Sequence, residues 1–115
     1  MSFKFPAYQR LKKEEDFRNL MRNGKKIKNR FFFYFLENDF SYHRFAVSVN
    51  RRIGNAVQRN YIKRVMKECF RLNRYLMDSD KTYDLWIVTK KRFDESNVEK
   101  IRELFVYCLK KISRR

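Results

Sequence analysis

Arg59, Lys63, Lys67 and Arg71 recur at every fourth position in the stretch RRIGNAVQRNYIKRVMKECFR, residues 51–71, which carries seven Lys or Arg and a single acid, Glu68. At 100° per residue on a helix, these four cations occupy an arc of about 140° together with Asn60 and Arg64. Ile62, Val65, Met66 and Cys69 fall at i, i+3, i+4 and i+7 and form one apolar stripe outside that arc. Solvated helix faces ordinarily mix signs for i,i+4 support, and like charges four apart destabilise a helix slightly. A face of one sign therefore needs compensation from outside, and phosphates spaced along a nucleic-acid backbone supply it. A membrane surface is the competing polyanion, but it demands an exposed apolar flank, and the stripe is needed for a core.

The residue types that carry catalysis are sparse. His43 is the one histidine, and no cysteine or second histidine stands at metal-ligand spacing from it, so it reads as a solvated loop residue. Glu14, Glu15 and Asp16 are better explained by the N-terminus of a helix than by acid/base chemistry. The chain has two glycines, Gly24 and Gly54, and neither sits in a phosphate-cradling loop. Cys69 and Cys108 each fall among apolar residues at helical spacing and read as small buried hydrophobes in a reducing compartment. No catalytic residue and no metal ligand is assigned, and a self-sufficient enzyme is not expected.

Composition agrees with a folded, polyanion-binding chain. With 29 Lys or Arg against 13 Asp or Glu, the net charge of +16 exceeds what solubility asks for. Hydrophobic residues make up 43% and aromatics 17%, a globular composition. The 115 residues read as a single domain, 1–115, able to bury roughly two thirds of its unfolded surface. No segment reaches the roughly 18 apolar residues of a membrane span, and the N-terminus MSFKFPAYQRLKK lacks a cleavable apolar leader. Cytoplasmic residence without membrane contact is the expectation.

The elements that must position the basic face follow from periodicity. KEEDFRNLMRN, residues 13–23, predicts a helix with acids at its start, Gly24 after its end and a short stripe of Phe17, Leu20 and Met21. RFFFYFLE, residues 30–37, is too aromatic for a good helix and predicts a strand. In RFAVSVN, residues 44–50, Phe45, Val47 and Val49 face the core, while Ala46 and Ser48 leave room for a ligand on the other side. Asn55 or Gly54 opens the basic helix, and YDLWIVT, residues 83–89, predicts a strand buried on both faces. Ser96 and Glu99 form a capping box for a last helix with the stripe Val98, Ile101, Phe105, Cys108 and Ile112. The order is helix, strand, strand, helix, strand, helix, with room for a further short strand. Exposed aromatics beside a small-residue strand face favour single-stranded or structured RNA over DNA.

RLKKEEDF at 10–17, Asn29-Arg30, and above all SVNRRIGNAVQRNYIKRVMKE at 48–68 resemble the protein subunit of bacterial ribonuclease P, in order and spacing from about residue 10 to 110. The resemblance implies a ribonucleoprotein that removes the 5′ leader from precursor tRNA. In it a large RNA subunit performs hydrolysis with Mg2+, held mainly by that RNA. The basic helix and the turn before it would face the RNA subunit through Arg51, Arg52, Asn55, Arg59, Asn60, Lys63, Arg64 and Lys67. The family's motif usually has arginine on both sides of the asparagine, whereas Tyr61 follows Asn60 here. Tyr61 lies about 60° beyond Arg64, where it can stack on a base or donate a hydrogen bond.

The resemblance also implies a cleft for the single-stranded leader, matched by Phe17, Met21, Phe33, Phe35, Ala46 and Ser48. Met21 stands where an aromatic is common. The implied fold is α+β, a two-layer α/β sandwich shared with a ribosomal protein domain, with a left-handed strand–helix–strand crossover. General chirality favours the right-handed form, so the hand rests on the resemblance alone. A ribosomal or other structural RNA-binding protein without a processing role is the alternative, and a stand-alone nuclease is the second.

Overall fold

The computed structural model describes residues 10–77 and 80–113. In chain order these form α1 (Glu14–Asn23), β1 (Lys25–Lys28), β2 (Phe31–Asn38), β3 (Arg44–Val49), α2 (Ala56–Asn73), β4 (Thr82–Thr89) and α3 (Val98–Ser113). Short 3-10 turns at Arg51–Ile53 and Arg74–Met77 flank α2. The expected order holds, and β1 is the further short strand.

The four strands make one sheet in the order β1-β2-β4-β3. β2 pairs antiparallel with β1 and with β4, whereas β3 and β4 run parallel. Parallel neighbours cannot be joined by a hairpin, so α2 serves as the crossover between them and packs on β3. The sheet separates two environments. Phe31, Phe33, Phe35, Phe45, Tyr83, Leu85 and Ile87 are buried on one face with Ile62, Met66 and Phe70 of α2 and Ile101, Phe105 and Leu109 of α3. There Phe45 stacks on Phe70 at 4.6 Å between centroids, and Phe105 meets Phe33 edge-on at 5.7 Å. Cys69 and Cys108 are both free and buried in this core, and burial pushes each thiol up to about 11. Val47 and Val49 pack against the same core, as their alternation predicts.

The opposite face is only partly covered, by α1. Its first turn carries Glu14, Glu15 and Asp16, and Leu20 is fully buried. Gly24 ends it in extended geometry, φ −80°, so left-handed backbone is not the reason for glycine there. A Cβ at Gly24 would lie 2.5 Å from the Leu20 carbonyl oxygen and 3.0 Å from that of Phe35, so glycine lets helix and strand meet.

Three sequence expectations need correction. β4 is interior to the sheet but not buried on both faces, because Trp86 and Val88 remain half-exposed on the α1 side. Ser96 does not cap α3: its hydroxyl and amide both donate to Asp94 Oδ1, and the helix begins at Val98, where the Asn97 carbonyl accepts from Ile101. His43 is not a solvated loop residue. Its Nδ1 accepts from the Tyr83 amide at 3.0 Å, its ring stacks on Tyr83, and burial together with nearby Arg74 lowers its pKa.

Candidate nucleic-acid interface

α2 begins with a reciprocal cap. Asn55 Oδ1 accepts from the Gln58 amide and Gln58 Oε1 accepts from the Asn55 amide, both at 2.9 Å. The preceding turn is fixed by Asn50 Oδ1, which accepts from the Arg52 amide at 2.9 Å and leaves Arg51 and Arg52 exposed. Gly54 leaves room for this arrangement, since a Cβ there would collide with Gln58 Oε1. From this start, Ile62, Val65, Met66, Cys69 and Phe70 turn into the core, and the cations turn out.

Asn60, Lys63, Arg64 and Lys67 share a groove of about 620 Å³ with Arg10, Arg71 and one acid, Glu68. The Lys67 pKa is lowered by partial burial, then by Arg10 and Lys63. Arg71 Nε is buried without a hydrogen-bond partner among the described residues. Such a groove can hold oxyanions by charge-assisted hydrogen bonds. The predicted residues are thus only partly brought together. Arg59 is half-buried outside the groove, Asn55 spends its side-chain oxygen on the cap, and Arg52 lines a separate hollow with Phe32, Lys90 and Arg92. Arg10 comes from before α1, beside β3, where it forms a bridge to Phe45.

The second region is the sheet face beneath α1. Register places Lys26, Tyr34, Trp86 and Ala46 in one row across the four strands, and Lys28, Phe32, Val88 and Ser48 in the next. Phe17 reaches down from α1 to Trp86 at 4.8 Å between centroids. Trp86 stacks on Tyr34 at 5.1 Å, and Tyr34 neighbours Phe32 at 6.4 Å. Lys90 and Lys26 lie 4.3 and 4.7 Å from the Phe32 ring centroid, within cation–π range. Trp86 Nε1 donates to Ser48 Oγ at 2.9 Å, which orients the indole.

Beyond Trp86, Arg44 donates to Asp84 through Nε at 2.8 Å and Nη2 at 2.7 Å and reaches Asp16 of α1 at 3.4 Å. Hydrogen bonding to Asp84 raises the Arg44 pKa against the opposing effect of burial. This pair ties α1 to the sheet and closes that end of the aromatic row.

Phe17, Ala46 and Ser48 therefore belong to this face, whereas Phe33 and Phe35 do not. These two are 0% and 4% exposed on the core side, because alternate residues of β2 point to opposite faces. Met21 is 56% exposed on α1 and joins none of the ring contacts. Phe32, Tyr34 and Trp86 were missed, along with Lys26, Lys28 and Lys90. The signal in β2 was divided, because Tyr34 and Asn38 make one parity polar while Glu37 sits on the other with Phe31, Phe33 and Phe35.

The Ribonuclease P family model matches residues 5–113. The ribonuclease P protein component of Desulforapulum autotrophicum is 34% identical over 114 residues, 98% of this chain and 96% of that one. That of Natranaerobius thermophilus is 35% identical over 102 residues, covering 88% of this chain and 87% of its own. Among solved structures, the RNase P protein from Thermotoga maritima superposes with a TM-score of 0.74 at 28% identity, covering 90% of this chain and 96% of that chain. The Staphylococcus aureus RNase P protein gives 0.68 at 25% identity, covering 92% and 93%. A family model spanning nearly the whole chain, with relatives above 30% identity over most of its length, shows that the chain belongs to the family of ribonuclease P protein components.

Proposed function

We propose that this protein component works as the RNA-binding subunit of a cytoplasmic endoribonuclease, gripping the catalytic RNA with α2 and the 5′ leader of precursor tRNA with the sheet face under α1. The observation that carries the reading is the ring row Phe17, Trp86, Tyr34 and Phe32, with Ala46 and Ser48 beside it and lysines along its margin. Stacking surfaces flanked by cations suit a single strand, whose bases are free to lie on rings while its phosphates meet ammonium groups. The α2 groove, with Lys63, Arg64, Lys67 and Arg71 on one side of a helix, suits the backbone of a structured RNA.

Arg51, Arg52, Asn55, Arg59 and Asn60 extend this contact along the turn and first half of α2, and Met21 borders the leader at the rim of α1. The protein positions substrate, and hydrolysis belongs to the RNA. Mg2+ is assigned to that RNA.

Reconstitution tests the reading. Precursor tRNA incubated with the matching RNA subunit at low magnesium should yield the mature 5′ end faster when this protein is added, and the protein alone should yield none. Absence of any stimulation would leave a structural RNA-binding role, and cleavage by the protein alone would reinstate a nuclease.

A further inference from the structure

A second groove, of about 750 Å³, lies between α2 and the segment joining β4 to α3, with Val57, Tyr61 and Phe93 among its lining. Its size falls within the ~300–1,000 Å³ of small-ligand pockets. Val57 is apolar yet 78% exposed. Phe93 is 5% exposed and supports Tyr61, the two centroids 6.1 Å apart. The Arg64 guanidinium lies 5.5 Å from the Tyr61 ring centroid. On a helical wheel with Arg59 at 0°, Arg64 stands at about 140°, Val57 at about 160° and Tyr61 at about 200°. The groove thus adjoins the end of the cation arc and shares Asn60 and Arg64 with the basic groove.

Its charge is different. The basic groove sets five cations against Glu68, whereas here Arg64 and Arg92 are matched by Asp94 and Glu95. A phosphate placed here would face two carboxylates. A flat, uncharged ring with N–H donors on its edge meets no such repulsion and finds a π-face at Tyr61 and carboxylate acceptors at the rim. Asp94 is held in its ionised, accepting form, its pKa lowered by hydrogen bonds from the Ser96 hydroxyl and amide.

We infer that this groove takes one unstacked nucleobase of the RNA subunit, laid on Tyr61, while the adjoining phosphates follow the α2 cations. The inference rests on α2 facing that RNA. A base lifted from its stack is readable by stacking and by its hydrogen-bonding edge.

Binding to the cognate RNA subunit, measured at several salt concentrations beside melting temperatures, separates the two readings. Tyr61→Phe keeps the ring and should bind within about twofold of the parent. Tyr61→Leu keeps apolar contact with Phe93 but offers no ring, and should weaken binding about ten- to a hundredfold. The slope of log affinity against log salt should not change, since no phosphate contact is lost. Should Tyr61→Leu melt early, Val57→Trp at the exposed position decides by filling the groove, and the same loss is expected of it. Parent-like affinity in the deciding variant overturns the inference. So does a loss shared by Tyr61→Phe with a slope smaller by about one, which marks a hydroxyl-to-phosphate contact. The underlying α2 reading fails on another observation, a parent affinity indifferent to salt.

Discussion

Phe17 and Trp86 meet at 4.8 Å between centroids with their planes tilted by 55°, so the first helix touches the sheet through a ring pair that remains half-exposed. Such a pair is worth about 0.5–1.5 kcal/mol beyond its area, well short of what a fully buried phenylalanine contributes. Phe17→Ala should therefore leave the protein folded and weaken binding of leader-bearing precursor by up to about a hundredfold in the holoenzyme. Mature tRNA lacks the leader and should bind as before. Equal loss for both RNAs with a lowered melting temperature would falsify the leader assignment and make Phe17 a core residue.

Assembly with the RNA subunit should be mainly electrostatic. If about six phosphates are neutralised, affinity falls by roughly three orders of magnitude between 50 and 200 mM salt. Arg64 is exposed, so Arg64→Ala should shift stability by less than about 0.5 kcal/mol while costing about 1.5–3 kcal/mol of binding. Filter binding across a salt series checks both, with the Arg64→Ala slope expected to be shallower by about one.

Lys67 offers the opposite signature in stability. Its pKa is lowered by burial and by Arg10 and Lys63, so the folded state disfavours its charge. Lys67→Gln should hold the melting temperature or raise it slightly, by the few tenths of a kcal/mol typical of relieved like-charge pairs, while RNA affinity drops. A variant that melts early and binds normally would show that the lysine stem is structural.

His43 makes stability sensitive to acid. Its folded-state pKa lies below the unfolded value of 6.5, so the unfolded chain binds more protons in the window beneath 6.5. Stability is complete above that window and declines as pH falls through it, because a proton on Nδ1 removes the acceptor for the Tyr83 amide. Urea denaturation at pH 7.5 and 5.5 should show a drop for the parent that shrinks in His43→Gln. An identical pH response in both would assign the acid sensitivity elsewhere.

The basic helix was legible because its cations and its apolar stripe repeat at the helical period, while its start stayed open between Gly54 and Asn55 until the reciprocal bonds of Asn55 and Gln58 placed it at Asn55. β3 was legible because small and large residues alternate along it. β2 was legible as a strand but not in its facing, since aromatics fill both of its faces and hydrophobicity alone cannot tell which side α2 and α3 will cover. The choice of Phe33 and Phe35 over Phe32 and Tyr34 came from that ambiguity, and a one-residue parity error moved the whole set to the wrong face. Ser96 failed as a cap because α3 begins at Val98, one residue too late, and Ser96 instead donates its hydroxyl and amide to Asp94 in the turn before it. Arg10 lay beyond reach because its place beside Lys67 depends on a bridge to β3 across 35 positions of chain.

The two outer strands of the sheet differ in how their rims are occupied. β3 has Arg10 and Leu11 alongside it, with the Leu11 amide donating to the Phe45 carbonyl at 3.1 Å. β1 is four residues long, KKIK, and shows Lys25, Lys26 and Lys28 to solvent while only Ile27 turns inward. A short rim dense in lysine repels an identical rim, which keeps backbone groups from templating a strand-by-strand stack of copies. The cations beside the aromatic row thus also act as colloidal guards, and a polyanion that neutralised them without covering β1 would leave the sheet open to self-association.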